Sequence, residues 1–194
     1  RPDDITSLSA SSAAASIVRD IEADTTGDLV LVAHSVGAIV TPLVAAQLRP
    51  RVRHLVFVAG ITVAEGQVPI DQYLPERATT AREILALVRE EHAGATLESL
   101  DARTSSTLDS LNLSTERMDW ADLPASLPRT FVRCLEDAIQ PPWMQDLFIA
   151  GCAAQEVLEL AAGHTPALDA PVQLAEILDA IASRYEADSR LAGR

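Results

Sequence analysis

The feature that most constrains this chain is the segment 29–40, which reads Leu-Val-Leu-Val-Ala-His-Ser-Val-Gly-Ala-Ile-Val. A short β-branched apolar run ends next to a lone serine, Ser35, and passes directly into an apolar, helix-like stretch. The pattern predicts a buried strand, a tight turn and a helix, with the serine at the tip of the turn. It matches G-x-S-x-G with Ala33 in the first glycine place. We interpret the small residues Ala33 and Gly37 as allowing the strand and the helix to approach closely.

Composition excludes several classes of function. A chain of 194 residues is long enough for one domain with a sizeable core. Its net charge of −13 argues against a nucleic-acid partner, and the absence of lysine excludes Schiff-base chemistry and a lysine general base. The histidines and cysteines are scattered without the spacing of metal ligands. We therefore expect neither a metal nor another cofactor.

The two cysteines, Cys134 and Cys152, are too few for a disulfide framework. They are typical of buried thiols in an intracellular protein, so we predict a cytoplasmic location. The sequence contains neither an apolar stretch long enough to span a bilayer nor a secretory segment, which argues against a membrane partner. An alanine-rich, lysine-free composition is common in proteins from GC-rich genomes, and we expect a bacterial source.

The order of elements predicts an α/β fold. Continuous apolar runs predict buried strands, and apolar residues at helical spacing predict the helices between them. The expected strands are residues 29–33, 54–59 and 129–135, followed by a more solvated strand at 155–160. The expected helices are residues 8–23, 36–48 with a kink at Pro42, 142–150, and a last helix from about Pro171 with Asp169 as a possible cap. Strands of this kind that alternate with helices indicate a parallel sheet flanked by helices.

Residues 61–128 differ from the rest because they are more polar and show no strand pattern. A helix is predicted at 79–92, and weaker helical patterns continue to about 117. We interpret 61–128 as a helical cap inserted into a core formed by 1–60 and 129–194. Five apolar cap residues either line the substrate site or only pack within the cap: Leu74, Leu108, Leu111, Met118 and Trp120. Trp143, which follows the cap in the chain, is expected to serve packing.

Three residues are candidates for nucleophilic catalysis. A serine hydroxyl needs an adjacent base, which in turn needs an orienting acid. Ser35 follows the first strand, Asp137 follows the third, and His164 follows the fourth. The carboxyl ends of parallel strands meet at one edge of a sheet, so these side chains are expected to lie close together. Glu136 stays open as an alternative acid.

The other histidines have less specific interpretations. His34 directly precedes Ser35, so its side chain is expected to point the other way, into a packing role. His54 begins a predicted strand, and His92 falls in the predicted cap. His164 is therefore the favoured base.

Three segments together resemble a known family. They are Ala-His-Ser-Val-Gly at 33–37, Val-Arg-Cys-Leu-Glu-Asp-Ala-Ile-Gln-Pro-Pro at 132–142 and Gly-His-Thr-Pro-Ala-Leu-Asp-Ala-Pro at 163–171. From about residue 8 to 185 the chain resembles the α/β-hydrolases, in the subgroup of plant methylesterases, hydroxynitrile lyases and small bacterial esterases. The resemblance implies a catalytic triad of Ser35, Asp137 and His164, with the backbone N–H of Val36 in the oxyanion hole. The similar hydroxynitrile lyases use a cap lysine, so their activity is not expected here.

The sequence departs from the family at its beginning. Relatives begin with further strands and a loop that carries the second oxyanion donor, and no such strand or loop is recognisable before residue 29. The strand at 29–33 would then expose an unpaired edge. We therefore expect either that residues precede Arg1 in the native protein or that another chain, as in a dimer, covers this edge.

The function predicted from these residues is that of a serine hydrolase. It would cleave a small or medium apolar carboxylic ester, its small-molecule partner, through an acyl-enzyme. Two alternatives stay open. The same triad could carry acyl transfer or cyclisation on a biosynthetic intermediate, or the chain could be a catalytically degenerate relative that acts as a binding module.

Overall fold

The fold is built on one parallel sheet. A computed structural model describes residues 9–91 and 110–192 of the chain, with side chains described as far as residue 185. The strands are β1 (Leu29–His34), β2 (Val52–Val58), β3 (Arg129–Cys134) and β4 (Glu156–Leu160). They lie in the order β1-β2-β3-β4, and all three neighbouring pairs are parallel. The predicted parallel α/β sheet is confirmed.

Helices connect and cover the strands. They are α1 (Ala10–Asp24), α2 (Thr41–Gln47), α3 (Pro69–Tyr73), α4 (Ala78–Glu91), α5 (Pro142–Cys152), α6 (Pro166–Asp169) and α7 (Pro171–Ala192). Short 3₁₀ helices occupy Ser35–Ile39 and Pro75–Arg77, and residues 110–114 are also helical. α1 begins where it does because Ser9 and Ser12 form a reciprocal capping box, which satisfies backbone N–H groups that a helix start leaves free.

The sheet separates two apolar clusters. Alternate residues of β2 point to opposite faces, so Leu55 and Phe57 join the cluster beneath α1, α2 and α5, whereas Val56 and Val58 join the cluster beneath α7. Phe57 pairs in register with Phe131, and both are fully buried. Burial of each such side chain contributes about 1.5–3 kcal/mol, so this pair anchors the centre of the sheet.

Two sequence predictions differ from the observed elements. The expected kink at Pro42 is wrong, because the chain first forms a 3₁₀ turn and Pro42 then lies in the first turn of α2. A proline is tolerated there since the first backbone N–H groups of a helix have no partner within the helix. Asp169 does not cap the last helix; it ends α6, and its carboxylate accepts a hydrogen bond from the Gly163 N–H.

β1 is an edge strand of the described sheet. Val32 on this strand is 48% exposed. A groove of about 260 Å³ runs along β1, with Ile17 and Ile21 of α1 on its far wall. The expectation that another segment or chain covers this edge stays a prediction.

Described residues of the predicted cap are consistent with a helical segment. Between 61 and 91 and between 110 and 128 the structure contains helices and no strand. The division into core and cap stays a prediction. Leu108 and His92 lie outside the described residues.

None of the helices in the described ranges combines the length and the apolar character that a membrane crossing requires. Both cysteines are buried and free of disulfide bonds, as the sequence predicts.

A buried histidine links β2 to the last helix. His54 is 2% exposed, and its Nε2 lies 2.8 Å from Thr130 Oγ1 while its Nδ1 lies 2.7 Å from the Tyr185 hydroxyl. Because the Thr130 hydroxyl donates its own proton to Glu156, His54 Nε2–H donates to Thr130 and Nδ1 accepts from Tyr185. The acceptor role of Nδ1 requires a neutral imidazole, because both ring nitrogens of a protonated histidine are donors. Burial, and secondarily the charge of Arg184, lowers the pKa of His54 from its ordinary 6.5, with Glu156 opposing in part.

This arrangement predicts that mild acid destabilises the fold. Below pH 6.5 His54 binds a proton in the unfolded chain, where its pKa is ordinary. In the folded chain its lowered pKa keeps it neutral to a lower pH. The free energy of unfolding should therefore fall as the pH is lowered from about 7 to 5, and urea titrations at both pH values measure the change. The pKa of Glu156 is lowered from 4.5 by its hydrogen bonds from Arg184 and Thr130, so the stabilisation from this carboxylate changes little above about pH 5.

The matched control is His54→Gln, which can keep both hydrogen bonds and cannot titrate. Its stability should change less with pH than that of the wild type. Equal pH dependence of the two proteins would contradict the role assigned to His54.

Candidate active site

Ser35 lies at a strained turn between β1 and the following 3₁₀ helix. Its φ of +52° is in the left-handed region, which non-glycine residues rarely adopt. A backbone hydrogen bond stabilises the turn, because the Ser35 carbonyl accepts from the Ile61 N–H at 2.9 Å. A strained strand-to-helix turn of this kind presents the serine side chain at the carboxyl end of the sheet.

The reason proposed for Gly37 from the sequence is wrong. A Cβ added to Gly37 would meet nothing within 4 Å. The close approach instead involves Gly60, just after β2, where an added Cβ would lie 3.0 Å from the Cβ atoms of both Ala38 and Phe57. The turn therefore packs against the end of β2 through Ala38.

The structure brings the three candidate side chains together. His164 Nε2 lies 2.9 Å from Ser35 Oγ, and His164 Nδ1 lies 2.7 Å from Asp137 Oδ2. An ionised Asp137 can only accept, so Nδ1 carries the ring proton and Nε2 accepts from the Ser35 hydroxyl. The side chain of Asp137 is fully buried and that of His164 is 15% exposed. This tautomer is the one that can take a proton from the serine.

Asp137 is held rigidly by its own loop. Its Oδ1 accepts hydrogen bonds of 2.8 Å from the backbone N–H groups of Ile139 and Gln140. The alternative acid, Glu136, is exposed, and its backbone N–H donates to the Ala162 carbonyl. The geometry therefore favours Asp137 as the partner of His164.

Gln145 on α5 fastens the base of the same loop. It is 1% exposed; its Oε1 accepts from the Cys134 N–H, and its Nε2 donates to the carbonyl oxygens of Cys134 and Gln140. Sequence reasoning missed this residue. The available signal was a glutamine that shares a helix face with apolar residues such as Phe148, since a polar side chain buried on such a face needs partners.

The position of His34 differs from the prediction. Its side chain is exposed rather than packed in the core, and its Nε2 lies 2.6 Å from the carbonyl oxygen of His164. The two imidazole rings lie 5.1 Å apart between centroids. His34 therefore contacts the loop that carries the candidate base.

The predicted lining residues have packing contacts. Leu74 and Leu111 pack on a small cluster formed by α3 and α4. Trp120 is buried against Phe57, and its indole N–H donates to the Val63 carbonyl; Met118 is buried in the same main core. These contacts favour a packing role for Met118 and Trp120 over a role in lining the substrate site. A role in substrate binding at any of these positions stays a prediction.

Exposed apolar side chains flank the Asp137 loop. Leu135 is 50%, Ile139 66% and Trp143 57% exposed. The packing role predicted for Trp143 is therefore wrong, because α5 directs this side chain to the surface.

The two thiols of the chain are poor competitors for nucleophilic attack. Burial, followed by the negative charges of Asp137 and Asp169, raises the pKa of Cys134 to about 11. Burial also raises the pKa of Cys152. Both thiols are therefore protonated at neutral pH, and a thiol is a much weaker nucleophile than its thiolate.

Among the described residues no three His, Cys, Asp or Glu side chains are grouped so as to hold a metal ion.

Comparison with known proteins identifies the family. The sequence model described as "Alpha/beta hydrolase family" matches residues 1–177. The chain belongs to this family. The resemblance drawn from its sequence segments is thereby confirmed, and the protein is an α/β-hydrolase. A comparison with curated proteins gives no match.

Several solved structures share the fold of this α/β-hydrolase. An extracellular α/β-hydrolase from a Paenibacillus species, described as sharing homology with tobacco salicylic acid binding protein 2, is 17% identical with a TM-score of 0.67; the match covers 89% of this chain and 79% of that chain. A pyrethroid hydrolase from Sphingobium faniae is 19% identical with a TM-score of 0.59, covering 91% and 78%. A thermophilic esterase from Thermogutta terrifontis is 20% identical with a TM-score of 0.57, covering 91% and 73%.

Proposed function

We propose that this α/β-hydrolase is a serine esterase that cleaves small or medium apolar carboxylic esters. The observation that carries the proposal is the continuous hydrogen-bonded path from Ser35 through His164 to Asp137, with distances of 2.9 and 2.7 Å. Ester-cleaving proteins among the structures of the same fold support it.

The proposed reaction proceeds in two halves. Ser35 Oγ attacks the ester carbonyl while its proton passes to His164 Nε2, and the backbone N–H of Val36 donates to the oxyanion. His164 then gives this proton to the departing alkoxide, which leaves as the alcohol. In the second half His164 takes a proton from water, the hydroxide attacks the acyl-enzyme, and the acid is released as Ser35 regains its proton.

Asp137 contributes by position and charge. Its carboxylate fixes the imidazole through Nδ1–H and stabilises the imidazolium that forms when Ser35 attacks. Because Asp137 is fully buried and already accepts two backbone N–H bonds, the carboxylate needs no rearrangement during the reaction.

The preference for apolar esters is supported by exposed apolar side chains that follow Asp137 in the chain. Ile139 and Trp143 are both more than half exposed. Exposed apolar surface often marks a place where an apolar ligand or partner binds.

We also propose a cytoplasmic location. Its support is that Cys134 and Cys152 are free, buried thiols, which is typical of proteins from reducing compartments.

A fluorophosphonate probe tests the proposed chemistry directly. The purified protein is treated with the probe, its intact mass is measured, and the modified peptide is sequenced, with heat-denatured protein as the control. One adduct on Ser35 in the native sample only is the expected result. A folded protein that gains no adduct would overturn the proposal and favour the binding-module alternative.

A further inference from the structure

The residue before the candidate nucleophile contacts the backbone of the candidate base. Ser35 Oγ reaches the ring of His164, and the adjacent His34 reaches its carbonyl oxygen at 2.6 Å. A carbonyl oxygen can only accept, so His34 Nε2 carries the proton and donates it. Two consecutive residues of one turn therefore hold two different parts of His164.

We propose that His34 is a positioning residue, whose hydrogen bond to the His164 carbonyl holds the general base over Ser35. This inference rests on the proposed esterase function. It differs from the role expected from the sequence, which was packing.

The contacts around His164 show why its carbonyl matters. Asp137 fixes the ring at Nδ1, and Asp169 fixes the preceding residue by accepting from the Gly163 N–H at 3.1 Å. The hydrogen bond between the imidazole and Asp137 does not by itself fix the loop. Rotation of the His164 side chain can keep this bond while the His164 backbone moves. His34 donates to the carbonyl oxygen of His164 itself. Hydrogen bonds therefore hold the backbone on both sides of the His164 Cα atom, at the Gly163 N–H and at the His164 carbonyl.

The turn geometry makes this hold effective. His34 ends β1, whose backbone pairs with β2 through Val58, and Ser35 is held through its carbonyl by Ile61. The donor is therefore carried by a residue of the sheet that directly precedes the nucleophile. A displacement of the His164 backbone away from Ser35 lengthens the hydrogen bond from His34.

Because His34 is exposed, its replacement should affect catalysis more than folding. His34→Phe keeps a ring beside His164 and removes the donor. His34→Gln places an amide N–H near the former Nε2 position and restores it. Loss of a positioning contact that allows a shift of about 1 Å can cost up to about 100-fold in rate.

The test compares wild type, His34→Phe and His34→Gln with p-nitrophenyl butyrate, measuring kcat, KM and the melting temperature of each protein. His34→Leu is a second donor-free variant if His34→Phe folds poorly. For the donor-free variants we expect kcat to fall about 10- to 100-fold with KM within about two-fold of wild type and the melting temperature unchanged. His34→Gln should recover most of the wild-type kcat.

The outcomes separate this inference from the proposed function. An active wild type with an equally active donor-free variant overturns the inference alone. So does a His34→Gln variant that is as slow as His34→Phe, since the loss would then not depend on the donor. An inactive, unlabelled but folded wild type overturns the proposed function and the inference with it.

Discussion

Replacing Ser35 with alanine should reduce ester hydrolysis by on the order of 10⁶-fold in kcat, because the hydroxyl that forms the acyl-enzyme is removed. The hydroxyl is the atom that His164 Nε2 contacts at 2.9 Å. Both cysteine thiols are buried and have raised pKa values, so they are poor substitutes for the hydroxyl. Steady-state rates with p-nitrophenyl butyrate, together with fluorophosphonate labelling of the variant, measure the effect.

The substitution should leave the fold intact. Ser35 has a φ of +52°, and alanine meets the same steric cost there as serine, since both carry a Cβ. A matched control is Ser9→Ala, which removes the N-cap hydroxyl from the capping box of α1. This control should lose about 1 kcal/mol of stability and keep its kcat. Substantial hydrolysis by Ser35→Ala would place the nucleophile elsewhere and contradict the proposed mechanism.

The sheet and the candidate triad were predictable because their signals are local. β2 contains the apolar run Leu55–Val58, which is typical of a strand buried on both faces. The carboxyl ends of parallel strands lie together, so residues directly after strands become neighbours without any knowledge of the loops. Asp137 and His164, which are 27 positions apart, were brought together by this rule.

The supporting residues were not predictable, since their partners are set by tertiary packing. Gln145 bonds to backbone atoms of the Asp137 loop, and His34 bonds to a carbonyl 130 positions away. Backbone acceptors leave no signature in a sequence, because every residue carries one. The error at Gly37 has a similar cause: the motif indicates a tight turn, but the close contact is made by its neighbour Ala38 against Gly60.

Replacing Asp137 with asparagine should reduce kcat by about 10⁴-fold while the fold is retained. The orientation of the new amide follows from the loop. The backbone N–H groups of Ile139 and Gln140 both point at Oδ1, so the amide oxygen must remain there and its NH₂ group must face His164 Nδ1. His164 then accepts at Nδ1 and carries its proton at Nε2, where it can no longer take the proton of Ser35.

Glu136→Gln is the matched control for this variant. Glu136 is adjacent in the chain and exposed, and it is bonded to Ala162 only through its backbone N–H in the contacts described above. Its kcat should stay within about two-fold of wild type, as for other exposed substitutions outside a site. The reverse result, a slow Glu136→Gln with an active Asp137→Asn, would assign the acid to Glu136. The two substitutions remove the same formal charge from adjacent residues, but only Asp137 is buried in contact with His164. A difference between their rates therefore reports the direct contact of Asp137 with His164, through both its hydrogen bond and its charge.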